Sequence, residues 1–184
     1  MPIQHVSGSV LLAMNRPGDN ETLRTLIARI RETVPGIVLR TTVMVGFPGE
    51  GEEEFTELCE FIGDMRFERL GCFAYSPEEG TVAAAMPHQV EDKVKQHRRD
   101  IVMDQQSRIA EEFNQSQIGK TLEVLVESYD RYAECWFGRS TGDAPDIDGK
   151  VFITGSAGHL HAGDLVKVTI TDSMDWDLMG ECCE

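Results

Sequence analysis

The sequence predicts an α/β part followed by an all-β part, and three observations carry that prediction. Between residues 20 and 74, apolar residues at helical spacing alternate with short β-branched runs, the pattern of strand, helix and strand around a parallel sheet. From Gly119 onward the pattern changes to five short strands, separated by Gly and Asp turns, within about 65 residues. A long polar helical stretch joins the two parts, so the expected domains are residues 1–118 and 119–184.

The chain begins with an extended apolar fragment, MPIQHV, then a short helical run through Val10, Leu11 and Met14 that Pro17-Gly18 closes. In ETLRTLIARIRETV, residues Leu23, Leu26, Ile27, Ile30 and Val34 share one helical face. Asp19 or Asn20 suits the cap of that helix, and Pro35-Gly36 stops it. The β-branched span Ile37 to Val45 reads as a strand buried on both faces. It runs into Gly46-Phe47-Pro48-Gly49, a turn, and then into a helix whose first turn holds Glu52, Glu53 and Glu54, where carboxylates meet unpaired backbone donors. Phe55, Leu58, Phe61, Ile62 and Met65 form the apolar face of that helix. RLGCFAYS is the next strand, and PEEGTVAAAMP its loop. In the long helix that follows, Val94, Ile101, Ile109 and Phe113 mark the expected apolar stripe.

The 184 residues are enough for one medium or two small domains, and 41% hydrophobic content suits a globular core. No run of about 18 apolar residues exists and the N-terminus lacks the pattern of a signal peptide. A cytoplasmic protein with no membrane partner is expected. The formal charge of −15 argues against general nucleic-acid binding. Residues 1–118 carry 12 Lys/Arg against 19 Asp/Glu, and residues 119–184 carry 5 against 13, so the β-rich part is the more acidic per residue. An acidic barrel favours a basic partner. Cys59, Cys72, Cys135, Cys182 and Cys183 are scattered, suggest neither a disulfide framework nor a ligand cluster, and read as structural or incidental thiols. Trp136, Phe137 and Trp176 read by default as the aromatic core of the small barrel, and the pair His159 and His161 as a solvated loop rather than a zinc site.

Taken in order, PIQHVSGSVLLAMNRPG, VGFPGEGEEEF and FAYSPEEGTVAA resemble the radical S-adenosylmethionine methylthiotransferases. The resemblance rests on four dispersed motifs: a Pro-x-Gln strand end, a helix closing in Met-x-Arg, the Gly-Phe-Pro-Gly-Glu turn and a Tyr-Ser-Pro-x-x-Gly-Thr loop. The terminal barrel looks like the TRAM domain of that family, so the likeness covers nearly the whole chain. Gln4-His5, YSPEEGT and GRSTGDAPDIDGKVFI point to the branch that methylthiolates an aspartate of a small-subunit ribosomal protein, rather than to the tRNA-modifying branch.

The resemblance implies a partial (β/α) radical SAM TIM-like barrel followed by a five-stranded OB-like TRAM barrel. It implies S-adenosylmethionine and two 4Fe-4S clusters as cofactors, but the family's Cys-x-x-x-Cys-x-x-Cys motif is not in this chain, which is expected to be a C-terminal portion inactive by itself. By the same resemblance the cofactor-binding candidates stand at strand ends: Gln4 for the nucleoside, Arg16 for the methionyl carboxylate, Thr42 for the ribose, Gly46 for close backbone approach, and Tyr75 and Ser76 for the adenine. Each has a plainer alternative, a surface Gln, a solvated Arg or a core aromatic. His5 is open between packing under the cofactor and substrate recognition. The expected partner is a basic small-subunit ribosomal protein docking on the acidic barrel. The alternatives are a tRNA substrate and a non-catalytic binding module.

Overall fold

A computed structural model describes residues 1–155 and 160–183. The order of elements is α1 (Gly8–Ala13), α2 (Asn20–Thr33), β1 (Arg40–Val45), α3 (Glu52–Met65), β2 (Arg69–Ala74), a 3-10 turn at Ala83–Ala85, α4 (Asp92–Gln115), β3 (Thr121–Asp130), β4 (Cys135–Ser140), β5 (Val151–Thr154), β6 (Leu165–Met174) and β7 (Asp177–Cys182). Two compact units result, Met1–Ile109 and Ala110–Glu184, and the division falls inside α4.

The first unit is an α/β layer. β1 and β2 pair in parallel, Arg40 with Arg69 through Val45 with Ala74, with α3 as the crossover. An isolated parallel bridge from Gln4 to Val43 adds the N-terminal segment to the free side of β1. α2 starts because the Asp19 side chain accepts the Thr22 N–H at 2.9 Å, which leaves one fewer orphan donor at the helix end. The start of α3 lies at Gly51, whose N–H donates to the Glu54 carboxylate at 3.0 Å. The core is aliphatic and aromatic, with Val43, Val45, Leu58, Phe61, Ile62 and Phe67 nearly inaccessible.

Two sequence expectations change here. The β1 strand is buried on one face only: Thr41, Val43 and Val45 face the helices, whereas Thr42 and Met44 are half-buried beside Gly71 and the 62% exposed Phe73. Helices cover one side of this sheet, so the burial alternates with the period of the strand. The expected stripe of α4 is also displaced. Ile101 is 39% exposed, and the buried line runs through Lys95, Arg98, Val102, Gln106 and Ile109. The line holds polar residues because each finds a partner: Lys95 Nζ lies 2.9 Å from Asp92 Oδ1, Arg98 reaches Glu50, and Gln106 Nε2 donates to the Phe67 carbonyl at 2.9 Å.

The second unit is a closed five-stranded barrel of order β3-β4-β5-β7-β6, with β6 returning to β3. All contacts are antiparallel except β5 with β7. Its core is aliphatic, built from Val124, Val126, Val151, Ile153, Val168, Ile170 and Leu178. Glycine sits where two strands come closest: a Cβ on Gly138 would lie 2.1 Å from the Leu125 carbonyl oxygen. The default assignment of the aromatics to this core holds only for Trp136, which packs against it. Phe137 pairs instead with the outward Phe152 at 6.2 Å between ring centroids, and Trp176 is 40% exposed. The interior of so narrow a barrel is filled by β-branched side chains. The pair of histidines is only partly described: His161 is exposed in a turn with Asp164, and His159 lies outside the described residues.

Candidate functional site

Three chain segments meet at the C-terminal ends of the parallel strands. The segment after Gln4 leads into α1, which brings Val10; the turn after β1 brings Phe47; and the end of β2 brings Tyr75. These three side chains form one buried cluster, flanked by Met14, Met44 and Met86. The rings of Phe47 and Tyr75 meet edge to face with centroids 5.2 Å apart. The Tyr75 N–H donates to the Val45 carbonyl at 2.8 Å, which extends the β1–β2 pairing by one residue and fixes the ring over the turn.

Beneath this cluster lies a polar group of contacts that pattern reading did not find. His5 and Glu50 have fully buried side chains, and Arg98 is 4% exposed. The Ser7 N–H donates to His5 Nδ1 at 3.0 Å, so the neutral ring carries its proton on Nε2, which lies 3.4 Å from Glu50 Oε2. The same Oε2 accepts the Gly46 N–H at 2.8 Å, while Oε1 accepts from Arg98 Nη1 at 2.8 Å. Arg98 also donates to the Glu50 carbonyl and to the exposed Glu52. Glu50 therefore joins three elements: the segment after Gln4, the turn after β1, and α4. Within the acidic run 50–54, Glu52, Glu53 and Glu54 are in the first helical turn, as their positions in the sequence predict. Glu50 is different. Its two-residue separation from the run's first helical position was the one available sign.

The candidates distribute as follows. Gln4 adopts φ +67°, rare for a residue with a Cβ, while its N–H and carbonyl both bond to β1, at 3.0 Å and 2.7 Å. Such strain persists only where surrounding contacts enforce it. Thr42 is half-buried on the sheet face opposite the helices, and its carbonyl accepts the Gln4 N–H. Gly46 has φ +75°, and a Cβ there would sit 2.3 Å from Lys95 Cγ, so the close approach that requires glycine is to a lysine side chain. Tyr75 is buried and its hydroxyl has no hydrogen-bond partner among the described residues. Lys95 Nζ lies 5.4 Å from the centre of that ring. Ser76 follows it, exposed. Arg16 stands apart: its guanidinium is exposed and donates to the Pro2 carbonyl at 3.4 Å.

A nucleoside fits part of this arrangement. The half-buried Met44 and the Phe47–Tyr75 pair offer an apolar bed, and the orphaned Tyr75 hydroxyl a buried donor. Iron–sulfur clusters do not fit the residues present. Among the described residues no group of three or more His, Cys, Asp or Glu is placed to hold a metal. Burial, aided by the charge of Glu50, pushes the Cys59 thiol up to about 11 and the Cys72 thiol to about 12. Among the described residues no helix is long and apolar enough to cross a membrane.

The chain joins an α/β unit whose strand-end loops converge to a small closed acidic barrel, and comparison with known proteins shows what it resembles. Residues 118–183 match the TRAM domain family. The chain is 48% identical over 185 residues to the ribosomal protein uS12 methylthiotransferase RimO of Trichlorobacter lovleyi, covering 100% of this chain and 41% of the relative. It is 48% identical over 182 residues to that of Geobacter sulfurreducens, and 45% identical over 181 residues to that of Clostridioides difficile. The chain is thus similar over its whole length to part of the RimO methylthiotransferases. It spans about two fifths of the length of the curated relatives it matches.

Proposed function

We propose that this chain is the cofactor-edge and docking portion of a radical S-adenosylmethionine enzyme that methylthiolates an aspartate of uS12, a basic small-subunit ribosomal protein. The observation that carries the reading is the meeting of Val10, Phe47 and Tyr75 at one end of a parallel sheet, in a chain similar over its whole length to part of the uS12 methylthiotransferases. That end is where α/β sheets place their ligands.

S-adenosylmethionine would supply the hydrogen-abstracting radical once cleaved by an electron from a reduced iron–sulfur cluster held outside this chain, and a second molecule of it would supply the methyl group. This chain's residues do the positioning. Met44, Phe47 and Tyr75 supply an apolar surface for the adenine, with Tyr75 contributing a hydroxyl and Ser76 its adjacent backbone. Gln4 and Thr42 lie on the approach to the ribose, and Gly46 holds the turn against Lys95 and Glu50. The exposed Arg16 would have to leave Pro2 to take the methionyl carboxylate. The buried His5–Glu50–Arg98 contacts hold the loops rather than touch a reactant. His5 accordingly acts from below the site.

The barrel serves as the docking element, in which 13 acidic residues against 5 basic ones suit a cationic ribosomal protein and repel tRNA. Domain limits of 1–118 and 119–184 fit this division of labour. The reading is tested by titrating the chain with S-adenosylmethionine in a calorimeter, and separately with purified uS12 and tRNA at rising salt. Binding of uS12 but not tRNA is expected, with Tyr75→Phe weakening S-adenosylmethionine severalfold, as one hydrogen bond does. Retention of tRNA with a steep salt slope and no uS12 binding would overturn it.

A further inference from the structure

The outer wall of the barrel carries a groove of about 640 Å³, lined by Cys135, Phe152, Met174 and Met179 together with the acidic Glu134 and Asp177. Its position follows from strand alternation. On β5, Val151 and Ile153 point into the core, so Phe152 points out. On β7, Leu178 and Gly180 point in, so Asp177, Met179 and Glu181 point out. Phe152 pairs in register with Met179, and Met174 with Asp177, which gathers the apolar side chains from three strands into one depression. Met174 is 60% exposed.

The charge around the groove selects its occupant. Strand β7 presents acid, methionine and acid at every second residue, with Asp177 and Glu181 about 13 Å apart along an extended strand. An extended segment with an apolar side chain between two cations matches that spacing. RNA does not, because its phosphates would meet Glu134, Asp177 and Glu181. The barrel is closed, so the visitor cannot be added as another strand and must bind through its side chains.

We propose that this groove is the seat of a basic segment of the protein partner, which inserts an apolar side chain between Phe152, Met174 and Met179 while its Lys or Arg residues pair with the acidic lining residues. The inference rests on the barrel's role as the docking element for a cationic ribosomal protein, and it names where docking occurs. Methionine suits such a surface, since its flexible thioether adapts to different partners.

The test follows methionine methyl signals by NMR in the 184-residue chain, titrated with two probes: purified uS12, and a short peptide of alternating Lys and Leu. The Met174 and Met179 methyls are expected to move with both. A Met174→Ala/Met179→Ala chain with unchanged circular dichroism should bind each probe about tenfold more weakly, the size expected for a central apolar anchor. Glu181→Lys, an exposed change, should weaken both at low salt. Methyl signals that stay in place with both probes would overturn the groove, whatever the variants do. Movement with the peptide but no binding of uS12 would keep the groove and remove uS12 as the partner. Movement with tRNA, tighter than with uS12, would overturn the protein-docking proposal in favour of RNA.

Discussion

Arg98 on α4 donates to Glu50 in the turn before α3 at 2.8 Å, with both side chains buried, across 48 residues of chain. Both charges are almost wholly removed from solvent, so each depends on the other. Removing one partner of such a pair leaves a stranded charge, a costlier event than losing an exposed contact. Glu50→Ala is therefore expected to lower stability by about 3 kcal/mol, while Glu52→Ala, which removes Arg98's solvent-exposed partner, costs under about 1 kcal/mol. Urea unfolding of the two variants side by side measures the contrast. Equal losses would show that Glu50 is not the hub.

The turn after β1 makes a second contrast. Gly46 and Gly49 both have positive φ, but only Gly46 faces a neighbour, Lys95, at 2.3 Å from an added Cβ. Gly49→Ala should cost about 1 kcal/mol, the strain of a side chain in the left-handed region. Gly46→Ala should cost clearly more, because Lys95 must also move. It should also weaken S-adenosylmethionine binding, which Gly49→Ala leaves nearly intact. Thermal midpoints and the calorimetric titration read the two effects.

The displaced stripe of α4 is tested by neighbours in sequence. Ile101→Lys, at a 39% exposed position, is expected to change stability by no more than about 0.5 kcal/mol. Val102→Ala, at an inaccessible one, should cost about 2 kcal/mol. A larger loss at residue 101 than at 102 would restore the stripe expected from the pattern.

Alkaline stability depends on the buried thiols. Burial, and next the charge of Glu50, lift Cys72 from an ordinary value near 9 to about 12 and Cys59 to about 11, so the folded state holds protons that the unfolded state releases. Their contribution is complete below about 9 and is lost as pH rises toward 11 and 12. Urea midpoints measured from pH 8 upward should fall, and fall less steeply in a Cys72→Val chain. At pH 8 a thiol reagent should modify the exposed Cys183 first and reach Cys72 only on unfolding.

Much of the barrel was legible because its information is local. Alternation over TLEVLVES and LVKVTITD marks the strands, and Gly and Asp mark the turns, so the five segments were placed to within a few residues. The parallel pairing of β5 with β7 was not legible, nor the closure of β3 with β6. Those depend on which distant strand offers a complementary edge. The outward placement of Phe137 and Phe152 follows from the same register, which composition does not carry. In the first unit, the strand-end positions of Gln4, Gly46 and Tyr75 were readable from motif and spacing. The buried line of α4 was not, since Lys95, Arg98 and Gln106 look like solvated residues until their partners are known.

By itself the sequence determined the class of each part, the helix caps, the turn glycines and the acidity of the barrel, because propensity, periodicity and charge act over a few residues or by simple sum. Only the tertiary structure decided that Glu50 joins His5 to Arg98, and that Phe152, Met174 and Met179 share one groove. The physical reason is the same in both cases. A buried charge or an exposed apolar side chain acquires its meaning from the atom placed opposite it, and chain folding, not spacing, brings that atom there.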